Sequence, residues 1–272
     1  MAQTPTTSMD GLRVGVLGLG AIGSIFFTQL SQLALTRHHP QPLEPSLSAV
    51  HAFVKPHQLE ALRVSRRVSL IQSSPLSDAQ SERNETLVCL QGGGRGRLIR
   101  EEDGNGSAID VSITTLSTTS DDRSQAPLDV LLVALKSYDS AAAIEELRCH
   151  HAHLLRPQAL VVLLQNGLGA LPRDLVDPDT QDDQGPRDNC QWRLVHGVTF
   201  VGGRVEAPGT VVVSGLDVGM TYLAPMATSE DSTHAALDAL RRLLQLAGSS
   251  AACSFSISLS HAVYCQTHGG CP

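Results

Sequence analysis

Aromatic residues are scarce in this chain, at 3% of 272 positions, and lysine is scarcer still, with Lys55 and Lys136 the only two. A core short of rings must be built from Ala, Val, Leu and Ile, a palette that suits buried strands covered by helices. Positive charge is short as well: 20 Lys and Arg against 27 Asp and Glu give a formal net charge of −7. That speaks against nucleic acid as a partner, because a basic surface is what nucleic acid requires, but it leaves room for a local basic pocket that takes a phosphate. No apolar run reaches the ~18 residues needed to span a bilayer, so no membrane partner is expected. The apolar run near the start, LRVGVLGLG, follows little positive charge and is broken by glycines, so it reads as a strand rather than a signal peptide, and a cytoplasmic protein is the expectation. Cys89, Cys149, Cys190, Cys253, Cys265 and Cys271 follow no framework spacing, and a chain this long does not depend on disulfides, so reduced thiols are expected.

Apolar residues make up 42% of the chain, enough for one sizeable core. Residues 12–18 read as a buried strand, and a helix pattern runs from Ala21 to about Leu35. A second strand is expected from Ala49 to Lys55 and a short helix from His57 to Leu62. Residues 63–127 read as short strands joined by long inserted loops, notably 73–84 and 100–107. DVLLVALK, at 129–136, then reads as a strand buried on both faces, Ser140–Leu147 as a helix, and ALVVLLQNG as another buried strand. An acidic loop occupies 177–190. After it LVHGVTFVGG, GTVVVSG and VGMTYL read as three strands in quick succession. Leucines at helical spacing mark an amphipathic helix over Thr233–Ala247. Strands that alternate with helices predict an α/β fold of Rossmann type, a doubly wound and mostly parallel sheet, over residues 1–248.

One motif carries chemistry by its spacing. Gly18, Leu19, Gly20, Ala21, Ile22 and Gly23 fit the dinucleotide fingerprint and lie directly between a strand and a helix, the context that gives the pattern its meaning. Gly18 permits a tight turn, Gly20 lets the backbone approach a pyrophosphate, and Gly23 lets the helix lie close to the strand. The free N–H groups of the helix start then face the anion. A glycine-rich turn without ligand is the plainer reading. Lys55 follows the second strand, where an acid would suit NAD and a cation suits the 2′-phosphate of NADP; on spacing alone a solvated strand-end lysine fits as well. Lys136 and Asn166 close the next two buried strands, and parallel-sheet sites lie at such carboxyl ends. A loop lysine and a turn-type Asn-Gly are the plainer readings there.

Taken together, VGVLGLGAIGS, DVLLVALKSYDSAAAIEEL, LVVLLQNGLGAL, HGVTFVGGRVEAPGTVVVSG and the helix ending LLQLAG resemble ketopantoate reductase (2-dehydropantoate 2-reductase) over about residues 12–248. The resemblance implies NADPH-dependent reduction of 2-dehydropantoate to pantoate, in pantothenate biosynthesis, with NADP(H) as cofactor and a small keto acid as substrate; a homo-oligomer is compatible with it. It implies pyrophosphate binding by residues 18–23, 2′-phosphate binding by Lys55, and nicotinamide and substrate contacts from Lys136 and Asn166. It also implies a helical second domain with a general-acid lysine, and this chain has no lysine after Lys136 and no asparagine after Asn189. Residues 249–272 contain no Asp, Glu, Lys or Arg and read as an atypical, poorly ordered tail in place of that domain, a truncated C-terminal extension. Two alternatives stay open: a catalytically inactive NADP-binding protein or truncated gene product, and a reductase of another 2-keto acid. No metal site is expected. His261, Cys265, His268 and Cys271 lack regular structure to fix tetrahedral geometry, and His150, His151 and His153 read as a solvated connection.

Overall fold

The computed structural model describes residues 11–35, 46–72, 90–91, 97–98, 110–116, 126–165, 192–214, 219–226, 231–248 and 250–253. In chain order the elements are β1 (Leu12–Leu17), α1 (Ala21–Leu35), β2 (Leu47–Phe53), α2 (Pro56–Ser65), β3 (Ser69–Gln72), β4 (Leu90–Gln91), β5 (Arg97–Leu98), β6 (Asp110–Thr114), β7 (Leu128–Val133), α3 (Ser137–His150), β8 (Leu155–Leu163), β9 (Arg193–Thr199), β10 (Gly202–Ala207), β11 (Thr210–Ser214), β12 (Met220–Pro225), α4 (Asp231–Leu246) and β13 (Ser250–Cys253). Among the described residues no helix is long and apolar enough to cross a membrane.

The central sheet has the order β13-β12-β9-β8-β7-β1-β2-β6. The six strands from β6 to β9 pair in parallel, β12 is antiparallel to β9, and β13 is parallel to β12. This is the α/β, mostly parallel arrangement expected from the sequence. The chain builds outward from β1 through β2 to β6, then returns to the other side of β1 with β7 and β8, so the strand order reverses between β1 and β7.

Side-chain alternation explains why both faces are covered. Along β7 and β8, Val130, Leu132, Leu160 and Val162 join one buried cluster with Phe26, Phe27 and Leu30 of α1 and Leu237, Leu240, Leu243 and Leu244 of α4. Their neighbours Leu131, Val133, Val161 and Leu163 join the opposite cluster with Ile144 and Leu147 of α3, and Trp192 packs against it. A second sheet, β10-β11-β3, lies on α1 through Ile25, Leu70, Val211 and Val213.

Several boundaries differ from expectation, each for a local reason. The second strand ends at Phe53, and Lys55 takes the N-cap of α2, because Pro56 at the first helical position has its torsion preset for a helix. Helix α3 begins at Ser137 rather than Ser140: the Lys136 carbonyl accepts the N–H groups of Asp139 and Ser140 at 2.9 and 3.1 Å. Strand β8 starts four residues early, at Leu155, since the chain bulges through Pro157 and Gln158 (φ 69°) before Leu160 rejoins Val130. The run LVHGVTFVGG forms two strands, not one. The Thr199 hydroxyl accepts the Val201 N–H at 3.3 Å, and the chain leaves the large sheet there for the small one. Of the expected inserted region, Asp110–Thr114 is an edge strand of the main sheet. The tail also departs from expectation: Ser250–Cys253 pairs along Met220–Leu223 at the opposite edge. The loops at 73–84, 100–107 and 177–190, and residues 254–272, lie outside the described residues.

Candidate functional site

Four backbone hydrogen bonds continue the ladder just past the strand ends: Val54 to Thr114, Gly18 to Phe53, Ala134 to Leu17 and Leu164 to Val133, all at 2.8–2.9 Å with the first-named N–H donating. They draw the carboxyl ends of β6, β2, β1, β7 and β8 to one level. A cleft of about 760 Å³ opens above that rim. It sits at the reversal of strand order, where open α/β sheets bind their ligands.

The glycine turn forms the floor. Gly18 has φ +93°, a conformation that side chains rarely adopt, and a Cβ there would lie 2.6 Å from Leu135 Cδ2. A Cβ on Gly23 would overlap the Gly18 carbonyl oxygen and come within 3.1 Å of Ala134 Cβ, so helix α1 rests directly on the turn. Gly20 is different: a Cβ there meets nothing within 4 Å. The fold needs Gly18 and Gly23 for its own packing, whereas Gly20 leaves space that faces the cleft. The opening N–H groups of α1 have no intrahelical partner and carry the positive end of the helix dipole. That combination fits the pyrophosphate of a dinucleotide.

The structure brings most of the sequence-selected residues together. Gly18, Gly20, Ala21 and Ile22 line the cleft with Lys55 and Lys136, whereas Leu19 and Gly23 are buried beneath it. Each lysine is the N-cap of the helix after its strand, Lys55 of α2 and Lys136 of α3, and both are exposed. Three helix starts therefore converge on one volume with two cations. The Lys55 Nζ stands 3.5 Å from Asp139 Oδ2, on the first turn of α3. Asn166 lies outside the described residues; its neighbour Gln165 is buried at 4% exposure and lines the cleft.

Sequence reasoning missed Thr115, Asp139 and Thr199 as lining residues. Asp139 was within reach of it, as an acid three residues after a strand-end lysine falls on the first helical turn. Thr115 and Thr199 were not, because the places of β6 and of the β9–β10 switch depend on long-range pairing. Thr199 accepts a hydrogen bond from Thr221 at 3.0 Å, and the hairpin that follows lies on the start of α1, where a Cβ on Gly203 would be 3.2 Å from Ala21 Cβ.

A buried Ser–His pair elsewhere in the sheet is structural. His51 Nδ1 lies 2.5 Å from Ser112 Oγ, and His51 Nε2 lies 3.3 Å from Arg13 Nη2. A guanidinium has no acceptor, so Nε2 accepts and Nδ1 carries the proton. A ring that donates to serine does not act as its base. Among the described residues no cluster of His, Cys, Asp and Glu could hold a metal.

Solved structures share this architecture. The 2-dehydropantoate 2-reductase of Porphyromonas gingivalis W83 superposes with TM-score 0.54 at 17% identity, over 91% of this chain and 65% of that one. The enzyme of the same name from Methylococcus capsulatus gives 0.54 at 16%, over 93% and 60%. D-mandelate dehydrogenase in complex with NADH gives 0.53 at 16%, over 94% and 59%. The chain thus spans about three fifths of the length of these structures. Comparison with curated protein sequences finds no match. The glycine turn, both lysines and the β10–β11 hairpin all fall within residues 14–227, the stretch matched by the sequence model of ketopantoate reductase PanE/ApbA, and the chain belongs to that family.

Proposed function

We propose that the cleft binds NADP(H) and serves the NADPH-dependent reduction of a 2-keto acid, with 2-dehydropantoate the first substrate to test. One observation carries the reading. Gly20 leaves open space at the start of α1, in a cleft that Lys55 and Lys136 also line. The Gly18–Gly23 turn and the first N–H groups of α1 would hold the pyrophosphate, and Lys55 the 2′-phosphate. Lys136 and Asn166 would hold the nicotinamide side and the keto acid. When bound, the cofactor supplies a hydride to the keto carbon. The alkoxide formed there needs a proton, and Lys136 lines the cleft on the side assigned to the keto acid.

Fluorescence titration with NADPH and NADH tests the first half. NADPH should bind more tightly, and Lys55→Ala should weaken NADPH alone by ~10- to 100-fold, the worth of a charge-assisted bond to phosphate. Equal affinities, or an unchanged preference in the variant, defeat the assignment. NADPH oxidation with 2-dehydropantoate and with the 2-keto acid of mandelate tests the second half. Turnover of the first supports the reductase reading, and turnover of the second alone shifts the substrate to another 2-keto acid. Tight binding without turnover of either supports an NADP-binding protein that does not catalyse.

A further inference from the structure

Lys55 and Asp139 follow strands that are not neighbours, since β2 and β7 flank β1 in the sheet. Two strand spacings are about 10 Å, roughly the span that a lysine and an aspartate must close between them. Their ion pair therefore links the starts of α2 and α3, which follow the strands on either side of β1, in the cleft that Gly18 and Gly20 also line.

The pair is made to be exchanged. Its 3.5 Å separation exceeds the 2.7–2.9 Å of a tight charge-assisted hydrogen bond, and the two side chains are 60% and 39% exposed. An ion pair of that kind is weak and screened by water. A phosphate monoester, with nearly two charges and three acceptor oxygens, outcompetes one carboxylate for the same ammonium. Yet Asp139 is fixed in place on the first turn of α3, where the helix dipole favours an acid, so its charge stays at the cleft after Lys55 is released.

We propose that Asp139 is a specificity-determining residue of this cleft: its carboxylate competes with the cofactor's 2′-phosphate for Lys55 and so holds down the preference for NADPH over NADH. This rests on the reading of the cleft as a nicotinamide dinucleotide site. NADH makes no claim on Lys55 through a 2′-phosphate, so it leaves the ion pair in place. NADPH must break the pair and bring like charge close to Asp139. Both effects act against the phosphorylated cofactor alone.

A double-mutant cycle tests this with binding alone. NADPH and NADH are titrated by fluorescence against the unmodified chain, Asp139→Asn, Lys55→Ala and the double variant, with melting temperatures to establish that each is folded. Asp139→Asn should tighten NADPH by about two- to fivefold, the range that an exposed ion pair spans, and move NADH by less. Asp139→Ser, which removes the charge with a smaller side chain, should do the same. In the Lys55→Ala background the gain should disappear. Unchanged or weaker NADPH binding in Asp139→Asn overturns the proposal. So does an equal gain for both cofactors, or a gain that survives without Lys55. The outcomes also separate the two readings: clear NADPH preference with no coupling between residues 55 and 139 removes only the role of Asp139, whereas failure of both cofactors to bind removes the cofactor site itself.

Discussion

Gly20→Val should abolish NADPH binding while leaving the fold intact, and the structure sets the size of both effects. No φ in the left-handed range is recorded at Gly20, and a Cβ there meets nothing within 4 Å, so the variant introduces no clash. Valine is a poorer residue than glycine before a helix, at a cost of about 1 kcal/mol. Loss of glycine's freedom in the unfolded chain returns ~0.4–1 kcal/mol. The two nearly cancel, and for a chain of this size the melting temperature should stay within ~4 °C. Binding has no such compensation. The branched side chain would stand where the pyrophosphate meets the first N–H groups of α1. Two charge-assisted hydrogen bonds of ~1.5–3 kcal/mol each would be lost, or at least 100-fold in affinity. Thermal melting and a NADPH titration on the same preparation decide it. A folded variant that still binds NADPH would refute the reasoning, and the turn would then be a structural feature only.

Gly23→Ala should do the reverse, losing stability first. Its Cβ would overlap the Gly18 carbonyl oxygen, so α1 must shift off the turn, and a loss of ~3 kcal/mol in chemical denaturation is expected. Acid should destabilise the fold through two histidines. Burial holds the His196 imidazole below its ordinary value, and burial does the same for His151, reinforced by His153 and His150 and opposed by Glu146. A histidine whose folded pKa is depressed stabilises the fold above its unfolded pKa of ~6.5 and loses that contribution as pH falls below it. Melting temperature should accordingly drop between about pH 7 and pH 5, and His196→Gln should flatten that part of the curve; a flat profile in the unmodified chain would contradict the assignment. Deletion of residues 249–272 removes β13 from the edge of the sheet and should lower the melting temperature by ~2–4 °C, about 1 kcal/mol. No change on deletion would mean that the β12–β13 pairing adds nothing to stability.

The parts of the fold that were legible in the sequence are those fixed by local periodicity. The run from Val14 to Leu17, the helix at 21–35 and the leucine stripe of α4 each show their burial pattern within one window. The glycine turn was legible because steric demand at residues 18 and 23 is local to one strand-turn-helix unit. The misjudged boundaries lie where tertiary pairing overrides the local pattern. Pro157 reads as a breaker, yet a bulge carries the strand past it to pair Leu155 with Leu128. Phe200 and Val201 extend an apolar run that the chain uses to change sheets. The uncharged tail offers no periodic signal at 250–253, and the edge of β12 gives those residues their strand pairing. Lys55 and Lys136 were singled out by the strand-end rule, and both line the cleft. Their common placement on helix starts, and the acid that faces Lys55, required the order in which β2, β1 and β7 lie side by side.

The rim of the cleft is held by main-chain bonds from Val54, Gly18, Ala134 and Leu164, and of these Gly18 alone has a conformation that demands its residue type. Scaffold and chemistry are thereby decoupled. A drifting sequence can exchange the more accessible groups at positions 55, 136 and 139 without moving the platform that presents them. Structures only 16–17% identical share the fold, among them D-mandelate dehydrogenase in complex with NADH. On such a frame the side chains that set ligand preference are few, and most of the sequence answers to the fold alone.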